Sequence, residues 1–127
     1  MKVIIKEVTE EGQKYHVNFS TEYGNACALW IGEKPQINKE YFVEFEIPDV
    51  LCWQKDIIFS DKEECTIGMQ NNKFCFIGVF ESIEDDGYTV IRLGDNIISI
   101  ETQGEPPDLG SNVKLTANNL LLYDVNY

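Results

Sequence analysis

From Val3 to Val125 the chain alternates apolar and polar side chains, the period of strands with one face buried and one face wet. Val3 to Val8 and Lys14 to Phe19 flank Glu10-Glu11-Gly12-Gln13, a hairpin turn in which glycine supplies the positive φ. Cys27 to Ile31 makes a short third strand. In the fourth, Tyr41, Val43, Phe45 and Ile47 share one side and Phe42, Glu44 and Glu46 the other, until Pro48 ends the run. Val50 to Ile58 admits two readings: Asp49 is placed to cap a short helix, whereas Ile57-Ile58-Phe59 reads as a strand. Cys65 to Met69 and Lys73 to Phe80 form a second hairpin around Gln70-Asn71-Asn72, and Gly78 to Ile83 and Tyr88 to Leu93 form a third around Glu84-Asp85-Asp86-Gly87. Asp95-Asn96 turns into a strand from Ile97 to Thr102. Beyond the loop from Gly104 to Gly110 come Val113 to Ala117 and Leu120 to Val125.

The two halves echo each other. Gly32-Glu33-Lys34-Pro35-Gln36-Ile37 followed by Tyr41 to Phe45 lies over Gly104-Glu105-Pro106-Pro107-Asp108-Leu109 followed by Val113 to Ala117. Upstream, the acidic turn leading to Tyr15-x-Val17 matches the one leading to Tyr88-x-Val90. Either this is a pseudo-repeat of about residues 1–60 and 73–127, or both halves reuse one hairpin-and-loop chemistry. The fold expected is all-β and predominantly antiparallel: one domain over residues 1–127, a compact barrel or sandwich or two OB-like halves, with at most one short helix.

Pro107-x-Leu109-Gly110-x-x-Val113-x-Leu115, followed by Leu120-x-Leu122-Tyr123-Asp124, resembles the end of the TOBE barrels appended to transporter ATPases, within the wider OB class. The resemblance implies a small ligand-binding barrel module. It assigns no binding residue, and an oxyanion pocket would need donors or positive charge that so acidic a chain is short of.

With 127 residues, 43% of them hydrophobic, the chain is long enough for one sizeable core or two small barrels sharing an interface. The apolar run Val3-Ile4-Ile5 is cut by Lys6, too short for the core of a signal peptide, and no stretch approaches the roughly 20 apolar residues of a membrane span. A soluble cytosolic chain is expected. Cys27, Cys52, Cys65 and Cys75 show no C-x-x-C pair and sit beside apolar stretches, so free, buried thiols are expected. Zinc lacks paired ligand spacing, with His16 the only histidine.

The charge narrows the function. The chain holds 22 acids against 10 bases, net −12. Before Asp61 there are 10 acids and 6 bases, and from Asp61 onward 12 acids and 4 bases, so −8 of the −12 falls in the later hairpins and loops. One arginine, Arg92, and nine scattered lysines make no basic groove, which argues against direct nucleic-acid binding. Phosphate loops, nucleophile elbows and zinc-protease motifs are missing, and His16 sits in an alternating strand, where a structural histidine is commoner than a general base; no enzyme activity and no cofactor are expected. Glu84-Asp85-Asp86-Gly87 and Asp61-Lys62-Glu63-Glu64 are oxygen-rich but off the calcium-loop spacing.

What remains is binding through the charge itself. In size, acidity and lack of a reaction centre the chain is similar to the small acidic immunity proteins of bacterial toxin systems, which share no single motif or fold. That resemblance implies an inhibitor that masks a basic protein partner, with carboxylates standing where a nuclease holds phosphate. The contact residues expected are Phe42, Glu44, Glu46, Asp61, Glu63, Glu64, Glu81, Glu84, Asp85 and Asp86. Trp30 and Trp53 are assigned to the core.

Overall fold

Tight turns lay down the first three strands. The computed structural model describes residues 1–125, and in it β1 (Lys2–Glu11), β2 (Lys14–Thr21) and β3 (Gly24–Ile31) form an antiparallel meander. Gly12 takes φ +65° at the first turn, as its place in the sequence requires. A bulge between Ile5 and Glu7 shifts the register of β1, and so Val3, Ile5 and Val8 all reach the interior despite their mixed parity. β4 (Glu40–Glu46) returns to pair with β1 and stops just before Pro48.

The second meander has the same strand plan. β8 (Lys73–Ile83), β9 (Tyr88–Leu93) and β10 (Asn96–Gln103) run antiparallel, and β11 (Asn112–Ala117) pairs with β8 as β4 pairs with β1. The stretches Lys73 to Phe80 and Gly78 to Ile83, expected as members of two separate hairpins, are one continuous strand. It serves both: β7 (Thr66–Gln70) pairs with its first half and β9 with its second, across a bulge between Phe80 and Ser82. Asn71 and Asn72 make the β7–β8 turn with φ +53° and +63°, the mirror-type turn that fits the twist of a hairpin.

Closure is reciprocal. The strand that completes the first barrel is β12 (Leu121–Asp124), from the far end of the chain, parallel to β3 and antiparallel to β4; the closed order is β1-β2-β3-β12-β4. The strands flanking the second sheet come from the middle of the chain: β5 (Leu51–Cys52) lies parallel to β10 and β6 (Ile57–Phe59) antiparallel to β11. A bridge between Trp53 and Ile57 joins β5 to β6, so this sheet, too, nearly closes. The helix allowed for between Val50 and Ile58 does not form. The Lys55 and Asp56 N–H groups turn back onto the Cys52 carbonyl, Gln54 N–H reaches forward to the Ile57 carbonyl, and both flanks are held by ladders.

The two barrels share one core. Rings run from the first into the second as Phe19, Phe45, Phe74 and Phe76, with successive centroids 5.7, 6.0 and 5.5 Å apart. Between them, Ile67 N–H bonds the Tyr23 carbonyl at 3.0 Å, and β7 approaches β3 so closely that a Cβ on Gly24 would collide with the Ile67 carbonyl. Trp30 and Trp53 are buried, 3% and 5% exposed, as assigned. Trp53 Nε1 donates to Thr102 Oγ1 at 3.0 Å, and that hydroxyl sits 3.0 Å from both Thr89 Oγ1 and the Gly87 carbonyl, a buried polar knot that pins the end of β5 to the second sheet.

The cysteines depart from expectation in burial. All four are free, but Cys27 is exposed and Cys52, Cys65 and Cys75 are only half-buried. Strand parity is the reason: Cys27 is opposite the solvent-facing Asn18, and Cys75 lies between the inward-pointing Phe74 and Phe76.

Leu122, fully buried in β12, tests the reciprocal closure. Leu122→Ala is expected to lower stability by about 2–5 kcal/mol. Trp30 in the first barrel and Trp53 in the second should report the loss as one coincident denaturation transition, read in single-tryptophan variants; a shift confined to the Trp30 signal would show separable barrels.

Candidate functional site

The outward face of β4 looks across a seam toward the start of β10. Phe42, Glu44 and Glu46 form one wall, and Asp95, Asn96, Ile97 and Ser99 the other, with Tyr88 and Tyr123 completing a cleft of about 860 Å³. Strand alternation puts Phe42, Glu44 and Glu46 outward because Tyr41, Val43 and Phe45 face the barrel interior. Phe42 is 53% exposed and Ile97 56%, large apolar side chains left wet on a strand that buries its other face. Among the residues lining this cleft there is no lysine, arginine or histidine.

Cross-strand contacts order the wall. Tyr123 lies opposite Glu44 in the β12–β4 register, and the hydrogen bond its hydroxyl makes to Glu46 pushes the phenol above its ordinary range. The β9–β10 turn that presents Asp95 is braced from the first barrel. The Tyr23 hydroxyl packs against Gly94, where any Cβ would collide with the ring, and burial with the neighbouring Glu22 pushes that phenol up as well.

Of the residues expected at the partner surface, Phe42, Glu44 and Glu46 lie together in this cleft, while the others lie elsewhere. Glu81 pairs with Arg92, its Oε1 2.6 Å from Nη2 and 2.8 Å from Nε, so its charge is already matched by the chain's one arginine. Glu84, Asp85 and Asp86 form the β8–β9 turn, in which Asp86 Oδ1 accepts from Tyr88 N–H at 3.0 Å; this turn adjoins the cleft through Tyr88 without lining it. Asp61, Glu63 and Glu64 occupy the β6–β7 loop and do not line this cleft.

Sequence reading missed Asp95, Tyr88, Ile97 and Tyr123. For Ile97 a signal was there: Ile98, Ile100 and Thr102 share the buried parity of β10, which leaves Ile97 as an apolar residue on the wet side.

A second concavity, about 740 Å³, lies over the outer face of β1, β2 and β3 and includes Glu7, His16, Asn18, Cys27 and Met69. Cys27 Sγ–H donates to Asn18 Oδ1 at 2.7 Å, and Asn18 Nδ2 donates to Glu7 Oε2 at 3.0 Å. Partial burial, helped by the Glu7 charge, pushes the Cys27 thiol up, the direction opposite to that of an activated nucleophile. His16 is turned to Glu11, with Nε2 3.8 Å from Oε2. Among the described residues, no group of three or more His, Cys, Asp or Glu is arranged to hold a metal ion, and no helix is long and apolar enough to cross a membrane.

Comparison with known family models, curated proteins and solved structures finds no match to this chain.

A raised thiol pKa means a smaller thiolate fraction at any given pH, so Cys27 should react slowly although exposed. Alkylation by iodoacetamide at pH 8, followed peptide by peptide by mass spectrometry, is expected to run several-fold slower at Cys27 in the folded protein than in the urea-unfolded chain. Glu7→Gln should recover part of the rate by removing the nearby charge. An unchanged rate in that variant would show that Glu7 has no influence on the thiol.

Proposed function

We propose that this protein binds a basic protein partner through the acidic, aromatic cleft between its barrels, and that it acts as an immunity protein that neutralises a bacterial toxin nuclease by covering its active site. The observation that carries the reading is the lining of the cleft: Glu44, Glu46 and Asp95 stand among the exposed Phe42, Tyr88, Ile97 and Tyr123, with no cationic side chain and a single positive group, the Met1 α-ammonium, which donates to the Val43 carbonyl at 2.8 Å. Apolar anchors and carboxylates in excess over positive charge divide the work of binding. Exposed ion pairs contribute about 0–1 kcal/mol each, too little for tight inhibition. Aromatic anchors desolvated at the centre of an interface contribute about 2 kcal/mol or more apiece. The charge acts earlier, since a −12 surface raises encounter rates with a cationic partner and the carboxylates can occupy positions that the nuclease reserves for phosphate. No reaction is assigned to the chain itself.

The alternative suggested by the TOBE-like ending, a small-ligand barrel, draws support from the shared strand plan of the two meanders, which is also what a duplicated unit over residues 1–60 and 73–127 would produce. The cleft favours the protein partner, because Glu44, Glu46 and Asp95 outnumber its single positive group, the Met1 α-ammonium, which already donates to the Val43 carbonyl, so the lining repels an oxyanion.

The test uses a basic nuclease domain that the immobilised protein retains at low salt, purified and assayed for DNA cleavage. Wild-type protein should suppress cleavage stoichiometrically, and the triple variant Glu44→Gln, Glu46→Gln, Asp95→Asn should slow association by about tenfold or more and flatten its salt dependence. Charge reversal at Asp85 and Asp86, beside the rim, should slow association less. Association unchanged in the triple variant would contradict the assignment of the cleft.

A further inference from the structure

We propose that the cleft takes its partner as an added β-strand, an extended basic segment paired along the open edge of β10. This rests on the reading of the cleft as the binding surface and specifies how it is filled. On one side, β10 pairs with β9 from Asn96 to Glu101; on the other, β5 reaches it only at Thr102 and Gln103. Between Asn96 and Glu101 that second edge has no ladder partner among the described residues. β4 lies alongside without pairing to it.

Strand geometry says which groups are on offer. Leu93 and Asn96 close the β9–β10 turn, and Thr102 N–H bonds the Gly87 carbonyl, so the even-numbered residues of β10 address β9. The Gln103 carbonyl accepts from Trp53 N–H on the opposite side, so the odd-numbered residues address the open edge. Ile97 and Ser99 therefore present N–H and C=O groups toward the seam, and both line the cleft. Natural sheets blunt such edges with lysine, proline, bulges or a covering loop. The stretch Asn96-Ile97-Ile98-Ser99-Ile100-Glu101 contains neither lysine nor proline, and its pairing with β9 runs without a bulge. It is a strand edge kept usable, with aromatic and apolar side chains beside it.

Charge selects the occupant. A second copy of this chain would bring Glu44, Glu46 and Asp95 up against the same residues, whereas a lysine- or arginine-bearing strand meets all of them favourably. The added strand would take its affinity from main-chain hydrogen bonds at Ile97 and Ser99 and its specificity from alternate cationic side chains.

The test uses the full chain and a peptide of about nine residues alternating Lys and Val, the length of an ordinary strand. A second peptide carries N-methyl groups on every other amide. The unmodified peptide should slow amide exchange at Ile97 and Ser99 by about tenfold or more, and N-methylation should weaken binding by about 30- to 150-fold, as the loss of two or three main-chain hydrogen bonds requires. Equal binding of both peptides, binding without new protection at Ile97 and Ser99, or no binding of either at low salt would overturn strand addition. So would a concentration-dependent dimer that protects the same amides without peptide. Loss of binding in the Glu44→Gln, Glu46→Gln, Asp95→Asn variant alongside equal binding of both peptides would leave the acidic cleft standing and remove only the added strand.

Discussion

Everything in this molecule depends on an exchange of closing strands. β12, last in sequence, completes a barrel whose other strands precede residue 47, while β5 and β6, between the halves, flank the sheet built by the second half. A parallel pairing cannot be reached by a tight turn, so β12 meets β3 only after the whole second meander has been laid down. Non-local pairing of this kind is costly in chain entropy until much of the fold is present. The return is mechanical: neither sheet can be completed from its own half, and the ring series from Phe19 to Phe76 gives both one interior.

The cleft is a consequence of that exchange. Its walls are β4 and β12 on one side and the start of β10 on the other; β4 ends 50 residues before β10 begins and β12 begins 18 after it ends, yet the fold sets them face to face. Tyr23 against Gly94 and Ile67 against Tyr23 tie the first barrel to the second beside this seam. A surface braced in this way loses little conformational freedom on binding, and that saving passes into affinity. The same geometry leaves the β10 edge open, because β5 is only two residues long and runs out at Thr102.

Much of the fold could be read from alternation alone, since tight turns with glycine or asparagine at positive φ are local and β4 needs only its own parity to separate Phe42, Glu44 and Glu46 from the core. What alternation could not supply was everything set at long range. The segment from Val50 to Ile58 looked helical or extended with equal justice because its partners, β10 and β11, lie more than 40 residues away in sequence. Bulges in β1 and β8 flip parity without leaving a composition signal. The cysteines were misplaced for a related reason: residue type favours burial, and strand parity overrode it. At the site, the excess of acids after Asp61 suggested one face made of turns, yet Glu81 is neutralised by Arg92 and Asp61, Glu63 and Glu64 sit on a separate loop. The carboxylate that joins the β4 stripe is Asp95, a turn residue that could be placed only once the two barrels were packed.

The most direct measurement of the interlocked architecture is native-state hydrogen exchange across a series of sub-denaturing urea concentrations, followed at the amides of Leu122 in β12 and Phe76 in β8. Reciprocal closure predicts that both exchange only through global unfolding, with the same free energy and the same dependence on urea. An isotherm for Phe76 with a smaller urea dependence, while Leu122 stays protected, would show the second sheet opening by itself and would contradict the claim that the two barrels stand or fall together.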